Sequence, residues 1–349
     1  MIVFSNRQVD TALPEVFSRR FTPASPQLTL ASVTKKGAGW NISSVDKDVD
    51  DADSLNALLP LFKGKKPVLV YIHGNNNTPE KCFERCALLE SLYGVPVVGF
   101  SWPSEGYLPD GNPLPGMAAD DDDDGDEQSL KGVKLSNRSD SGIRSKIARY
   151  HQAKTNAQDS TDALARFLRM VGTARLYANQ QPFSLAIHSL GAHLFQYALG
   201  IPGANEAAST AHNIALLAAC STASGHKNWL AKFKPKGQLF VAFNKADSVL
   251  LAASIADDQH PKLGADPGPD VLRAGHVRYI SFSNANSGLG GHRYFARDNM
   301  PKKHLKVFTR IFASEMDIQG DEYPRKVYPV GCDSDGLTCY MGAPDHTEP

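Results

Sequence analysis

Apolar residues in this chain gather into short continuous runs separated by polar or helix-patterned stretches. The runs are PVLVYI at 67–72, VPVVGFSW at 95–102, FSLAI at 183–187, IALLAA at 214–219, LFVAF at 239–243 and VRYISF at 277–282. Most are aliphatic and rich in β-branched residues, with no polar alternation. This is the pattern of a strand buried on both faces, as the strands of a parallel sheet are. Shorter strand candidates precede them at 2–5, 28–33 and 40–45.

Between the runs the period changes to that of a helix. Thr78 followed by Pro79 is a start signal, with the threonine as N-cap and the proline in the first turn, and Cys82, Cys86 and Leu89 follow at helical spacing. Leu164, Phe167, Leu168 and Val171 repeat at i, i+3, i+4 and i+7 and predict a helix over 161–171. Leu305, Val307, Phe308, Ile311 and Phe312 make 302–316 amphipathic, and shorter helical patterns lie around Trp229 and over 247–256. Strands alternating with helices predict βαβ units. The expected class is α/β, a mostly parallel, doubly wound sheet with helices on both faces, in a single domain over 1–349.

Two stretches break the pattern. From 103 to 141 proline and glycine recur, and an acidic run fills 120–127. A block of one charge sign resists burial, so 104–141 reads as a solvated insertion, with a lid as its functional alternative. It leaves the strand end at Trp102. From 317 to 349 there is no clear periodicity, and this part reads as an irregular C-terminal extension.

The 37 basic and 37 acidic residues cancel, so no global field draws the chain to nucleic acid or anionic lipid. No apolar run approaches the roughly 18 residues of a membrane span, and MIVFSNRQVD has no basic region followed by a long apolar stretch. Of five cysteines, Cys82 and Cys86 share one face of a predicted helix. Cys332 and Cys339 could pair or bind metal, but no second ligand pair stands at zinc spacing. The expectation is a reduced, cytoplasmic protein without signal peptide, transmembrane segment, nucleic-acid partner, metal or organic cofactor.

The chemistry concentrates in FSLAIHSLGAHLF at 183–195: a strand, a sharp turn with Ser189 at its apex, and a helix. Such a turn lifts the serine hydroxyl clear of the backbone and sets it at a helix N-terminus, where free N–H groups favour negative charge. The pattern is that of a nucleophile elbow, G-x-S-x-G, with Gly191 as its second glycine and Ile187 in place of the first. In an open parallel sheet, sites form at the carboxyl ends of the strands. His73, Gly74 and Asn75 follow one predicted strand, Ser189 the next, Asp247 comes soon after LFVAF, and His292 follows VRYISF. Other histidines fit less well: His276 precedes its strand and His304 lies inside a helix. Asp257 and Asp258 fall at the far end of a helix, and Asp247 is itself placed to cap that helix. GLGG at 288–291 is not a full dinucleotide fingerprint.

The motifs VYIHGNNN (70–77), FSWPSEG (100–106), IHSLG (187–191), FNKADSVL (243–250) and GHRYF (291–295) occur in the order oxyanion loop, Ser, Asp, His. In this the chain resembles the α/β-hydrolases, most of all the bacterial branch catalogued as α/β hydrolase of unknown function, over about 67–312 outside the insertion. The resemblance implies Ser189 as nucleophile, His292 as acid and base, and Asp247 as the residue orienting His292. It implies the backbone N–H groups of Leu190 and Asn75 as an oxyanion hole, and His73, Asn76, Trp102 and His188 as candidate pocket lining. The implied activity is a serine hydrolase cleaving a small-molecule or lipid-like acyl ester. Acyl transfer, thioester hydrolysis or a lipolytic effector role on the same triad, and a catalytically silent scaffold, are the alternatives. Ile187 and the acidic stretch are the two departures from the family pattern.

Overall fold

The computed structural model describes residues 1–37, 39–117, 130–285, 288–314, 330–332 and 337–341. Five strands come first: β1 (Ile2–Ser5), β2 (Arg7–Val9), β3 (Phe17–Phe21), β4 (Thr29–Lys36) and β5 (Gly39–Asp46). Helix α1 (Asp51–Phe62) leads to β6 (Val68–Ile72), α2 (Pro79–Tyr93) and β7 (Val97–Ser101). Two helices, α3 (Ser141–Asp159) and α4 (Thr161–Tyr177), precede β8 (Phe183–His188), α5 (Gly191–Ala198) and α6 (Ala204–Ser209). Then come β9 (Asn213–Leu217), α7 (His226–Leu230), β10 (Leu239–Phe243), α8 (Ser248–Ala256), β11 (Val277–Ser281) and α9 (Lys302–Phe312). Strands β12 (Val330–Cys332) and β13 (Thr338–Met341) follow.

Among the described residues eleven strands form one sheet in the order β12-β13-β11-β10-β9-β8-β6-β7-β1-β4-β5, while β2 and β3 pair separately. From β13 to β1 every pairing is parallel. Antiparallel β12 closes one edge, and the antiparallel β4 and β5 extend the other. The apolar runs occupy the middle: all residues of β6, β7, β8, β9 and β10 are buried.

Helices cover both faces, and β7 shows why. Successive side chains of a strand point to opposite faces. Phe100 stacks on Phe167 of α4, 5.2 Å between ring centres. On the other side of the strand, a Cβ at Gly99 would lie 2.8 Å from the Cys86 sulfur of α2. Glycine there lets α2 sit close against the sheet. Helix α9 shares the α2 face: Phe312 meets the Tyr93 ring edge-on at 4.9 Å, and Ser184 and Asn213 side chains donate to the Ile311 carbonyl. The result is an α/β architecture, a mostly parallel sheet covered by helices, with its core along the parallel strands.

Elements that the pattern did not predict are informative. Helix α3 buries Tyr150, Ala153, Asn156 and Ala157. A face of small and polar residues carries little aliphatic signal. Its Asn156 amide donates to the carbonyls of Pro103 and Tyr107, so the beginning of the 104–141 stretch is bound to it. Ser104, Glu105, Tyr107, Leu130 and Val133 in that stretch are buried. The acidic run at 120–127 lies outside the described residues. The tail contributes β13 to the sheet next to β11. Cys339 is disulfide-bonded, and Cys332 lies opposite it in the β12–β13 register. This departs from the expectation of a reduced protein, which leaves pairing at Cys339 open; the Cα register of the hairpin sets the two cysteine positions opposite each other. Cys82, Cys86 and Cys220 are free and buried. Among the described residues no helix is long and apolar enough to cross a membrane.

Candidate active site

Ser189 occupies the turn between β8 and α5 with φ of 51°, in the left-handed region that a non-glycine residue enters only at a cost. The turn is stitched to the end of β9. The Ser189 N–H donates to the Leu217 carbonyl at 3.0 Å, and the Ser189 carbonyl accepts from the Cys220 N–H at 2.9 Å. Gly191 starts α5 where a Cβ would stand 2.5 Å from the His73 carbonyl oxygen, so the helix start and the loop after β6 approach too closely for any side chain. Ile187 answers the first departure from the elbow pattern. It is the penultimate residue of β8, fully buried, paired with Ile72 on one side and Leu216 on the other. The turn that needs glycine lies beyond it.

Asp247 is the N-cap of α8, and its Oδ1 accepts from the N–H groups of Val249 and Leu250, each at 3.0 Å. Its Oδ2 lies 2.7 Å from His292 Nδ1, and both side chains are 0% exposed. Capping and pairing with histidine are therefore not rival roles, because each uses a different oxygen. A carboxylate oxygen only accepts, so Nδ1 carries the proton and Nε2 is the basic nitrogen of the neutral ring. The His292 ring packs against His188, the neighbour of Ser189, with 4.7 Å between ring centres, and His188 packs on Phe295 at 4.9 Å.

The segment carrying His292 is anchored by its own motif. Gly291 has φ of 67°, and its carbonyl accepts from the Asn244 side chain at 2.8 Å. Two residues past His292, the buried Tyr294 hydroxyl donates to the Ala242 carbonyl at 2.8 Å and accepts from the Ala218 N–H at 2.7 Å. It thus ties the ends of β9 and β10 together beneath the histidine. Burial pushes the Tyr294 hydroxyl well above its ordinary pKa, which keeps it a donor.

Around the loop after β6, His73 and Trp102 are fully buried and bonded to each other. The Trp102 N–H donates to His73 Nε2 at 3.0 Å, and its indole N–H to the His73 carbonyl at 2.9 Å, with the rings stacked at 5.6 Å. His73 Nε2 is an acceptor, so Nδ1 bears the proton and donates to the Gly74 carbonyl at 2.9 Å. These two candidates for pocket lining brace the loop. Asn76 has φ of 50°, a conformation asparagine tolerates, and its N–H donates to the Ser104 carbonyl at 2.9 Å. The Asn77 amide donates to the Asn75 carbonyl at 2.6 Å. Leu190 is buried at the start of α5, where the first N–H groups of a helix have no partner within it.

Two features went unread in the sequence. Arg7 of β2, buried, pairs through both terminal nitrogens with Glu105 at 2.9 and 2.6 Å. Beyond the far end of α8, Asp257 is held by Lys262 at 2.5 Å and Lys154 at 2.7 Å, and accepts from the Tyr150 hydroxyl at 3.2 Å. That hydroxyl also touches the Cys220 sulfur at 3.3 Å. Apart from Lys262, five positions from Asp257, the partners come from distant parts of the chain, so no local signal marks either cluster.

Ser189 is thus on the β8 end, Asp247 beyond β10 and His292 beyond β11, all at the carboxyl edge of the parallel strands. No curated protein and no solved structure matches the chain. Residues 52–267, a span that includes the loop after β6, Ser189 and Asp247 and stops short of His292, match the family described as alpha/beta hydrolase of unknown function (DUF900). The chain belongs to that alpha/beta-hydrolase family.

Proposed function

We propose that this protein is a serine hydrolase that cleaves an ester or related acyl bond through Ser189, His292 and Asp247. The observation that carries the reading is the buried 2.7 Å contact of Asp247 Oδ2 with His292 Nδ1, reached from two different strand ends. In the neutral ring so held, Nε2 is the base, on the edge of the sheet where the strained Ser189 turn lies.

In this reading His292 Nε2 takes the Ser189 proton as the hydroxyl oxygen attacks the substrate carbonyl. The N–H groups of Leu190 and Asn75 receive the oxyanion of the tetrahedral intermediate, and losing one such donor typically costs ~10²–10³ in rate. His292 then gives its proton to the leaving alcohol as the carbon–oxygen bond breaks. Water, deprotonated by the same nitrogen, releases the acid and restores the serine. Asp247 holds the ring in the required tautomer and stabilises the imidazolium. The substrate class is a small-molecule or lipid-like acyl ester.

A fluorophosphonate probe tests the reading directly, since only an activated serine labels rapidly. Wild-type protein is expected to label and to hydrolyse p-nitrophenyl esters in a graded chain-length series. Ser189→Ala is expected to lose both while keeping its circular dichroism. Labelling retained by the variant would place the nucleophile elsewhere.

A further inference from the structure

We infer that Arg7 is a positioning residue for the oxyanion loop, so that β2, which lies before the family-matched span, belongs to the working site. The inference rests on the serine-hydrolase reading above.

The Arg7 side chain is 0% exposed and its partner Glu105 is 5% exposed. Besides the two bonds to Glu105, Nη2 donates to the Trp102 carbonyl at 2.8 Å and the Asn77 carbonyl at 3.2 Å, and Nη1 reaches the Ser18 carbonyl at 3.4 Å. One planar group therefore ties together backbone from β3, from the segment after β7 and from the loop after β6. Sheet register fixes a strand only as far as its last ladder bond. β6 ends at Ile72 and β7 at Ser101, and the guanidinium acts on backbone beyond both ends. Ser104, next to Glu105, accepts from the Asn77 N–H at 2.9 Å through its hydroxyl and from the Asn76 N–H through its carbonyl.

The loop so clamped holds Asn75 between His73 and the left-handed Asn76. A left-handed residue persists where its surroundings over-determine it. An oxyanion donor works only if its N–H meets the oxygen at about 2.7–3.1 Å, so small displacements of Asn75 are costly to the transition state and of little consequence to substrate binding. Stability alone is a poor account of this ion pair, since well-packed apolar residues often replace a buried pair without loss. What an apolar pair lacks is the fork of directed donors, and lysine lacks it too.

The test compares wild type with Arg7→Met/Glu105→Leu, Arg7→Lys and Glu105→Gln, with p-nitrophenyl butyrate as substrate. Each is also titrated with a trifluoromethyl ketone, which forms an oxyanion on the serine, and with neutral butyramide as a ground-state competitor. The expected result for the folded double variant is a kcat loss of about tenfold or more with KM within about threefold. The ketone affinity should fall in parallel while butyramide affinity stays within about threefold, and Arg7→Lys should recover less than half of the lost kcat. A folded double variant with less than about a tenfold loss overturns the inference, as does a kcat loss with ketone affinity unchanged. Should the double variant not fold, Arg7→Lys and Glu105→Gln carry the same criteria, with wild-type kinetics in both overturning it. Failure of wild type to label with a fluorophosphonate overturns the hydrolase reading and this inference with it. Labelled wild type beside unaltered variants overturns this inference alone.

Discussion

Asp247 and Asp257 bracket helix α8, the first at its N-cap and the second at its C-cap. Asp247 meets two backbone N–H groups and a histidine. Asp257 stands where the helix dipole disfavours a carboxylate, and two ammonium groups and a phenol compensate it. Burial pushes the Asp257 carboxyl up, but Lys262 and Lys154 outweigh that and hold it at about 2. The difference lies in what each can still do. A carboxylate oxygen shared by two ammonium groups is committed to neutralising them. One oxygen of Asp247 is met by neutral N–H groups, and the other is left to orient an imidazole. Both are aspartates capping the same helix, and the partner decides the role.

The largest effect that could break this comparison is on turnover. Asp247→Asn is expected to lower kcat by ~10³–10⁴, because an amide beside His292 stabilises the wrong tautomer. Steady-state kinetics on an accepted ester checks this. Asparagine caps a helix about as well as aspartate, so urea denaturation should show a stability change of no more than about 1 kcal/mol. A fully active Asp247→Asn would remove the distinction.

Asp257→Asn is expected to do the opposite. It strands Lys262, whose side chain is 1% exposed, without its carboxylate. A stability loss of about 3 kcal/mol is expected in urea, with kcat within about threefold of wild type. Acid titration sharpens the same contrast. Because the folded pKa of Asp257 lies below its ordinary value of 3.8, at about 2, its contribution is present above pH ~4 and is lost as pH falls from there through about 2. Wild type should lose stability over that window more steeply than Asp257→Asn, as followed by circular dichroism in an acid series. The smallest effect is expected for Lys154→Met. This side chain is 25% exposed and Lys262 still pairs the carboxylate, so the loss should stay near about 1 kcal/mol or below.

Much of the candidate site could be named from the sequence because its signals are local. The elbow is strand, turn and helix within a single short motif, and the periodicity changes from continuous apolar to helical at Ser189 itself. His292 stands out as a candidate because it follows a strand, whereas His276 precedes one and His304 lies inside a helix. Asp247 was legible only as a choice between capping and pairing, and the fold shows one oxygen given to each. Helix α3 was missed because its buried face holds alanine, asparagine and tyrosine. The β12–β13 hairpin is not legible because VGC and TCYM lie among glycines, prolines and charges with no continuous apolar run to mark them.

The sequence by itself therefore determined the parallel strands, the helices with aliphatic faces, the serine turn and the order of the candidate triad, since each rests on residues close together in the chain or on their order along it. Only the tertiary structure decided which partners meet. Arg7 reaches Glu105 across 98 positions, Tyr150 reaches Asp257 across 107, and Asp247 reaches His292 across 45. Those contacts depend on strand order, β8 beside β6 and β9, β1 beside β7, and strand order is set by the packing of the whole sheet and leaves no mark in the spacing of residues along the chain.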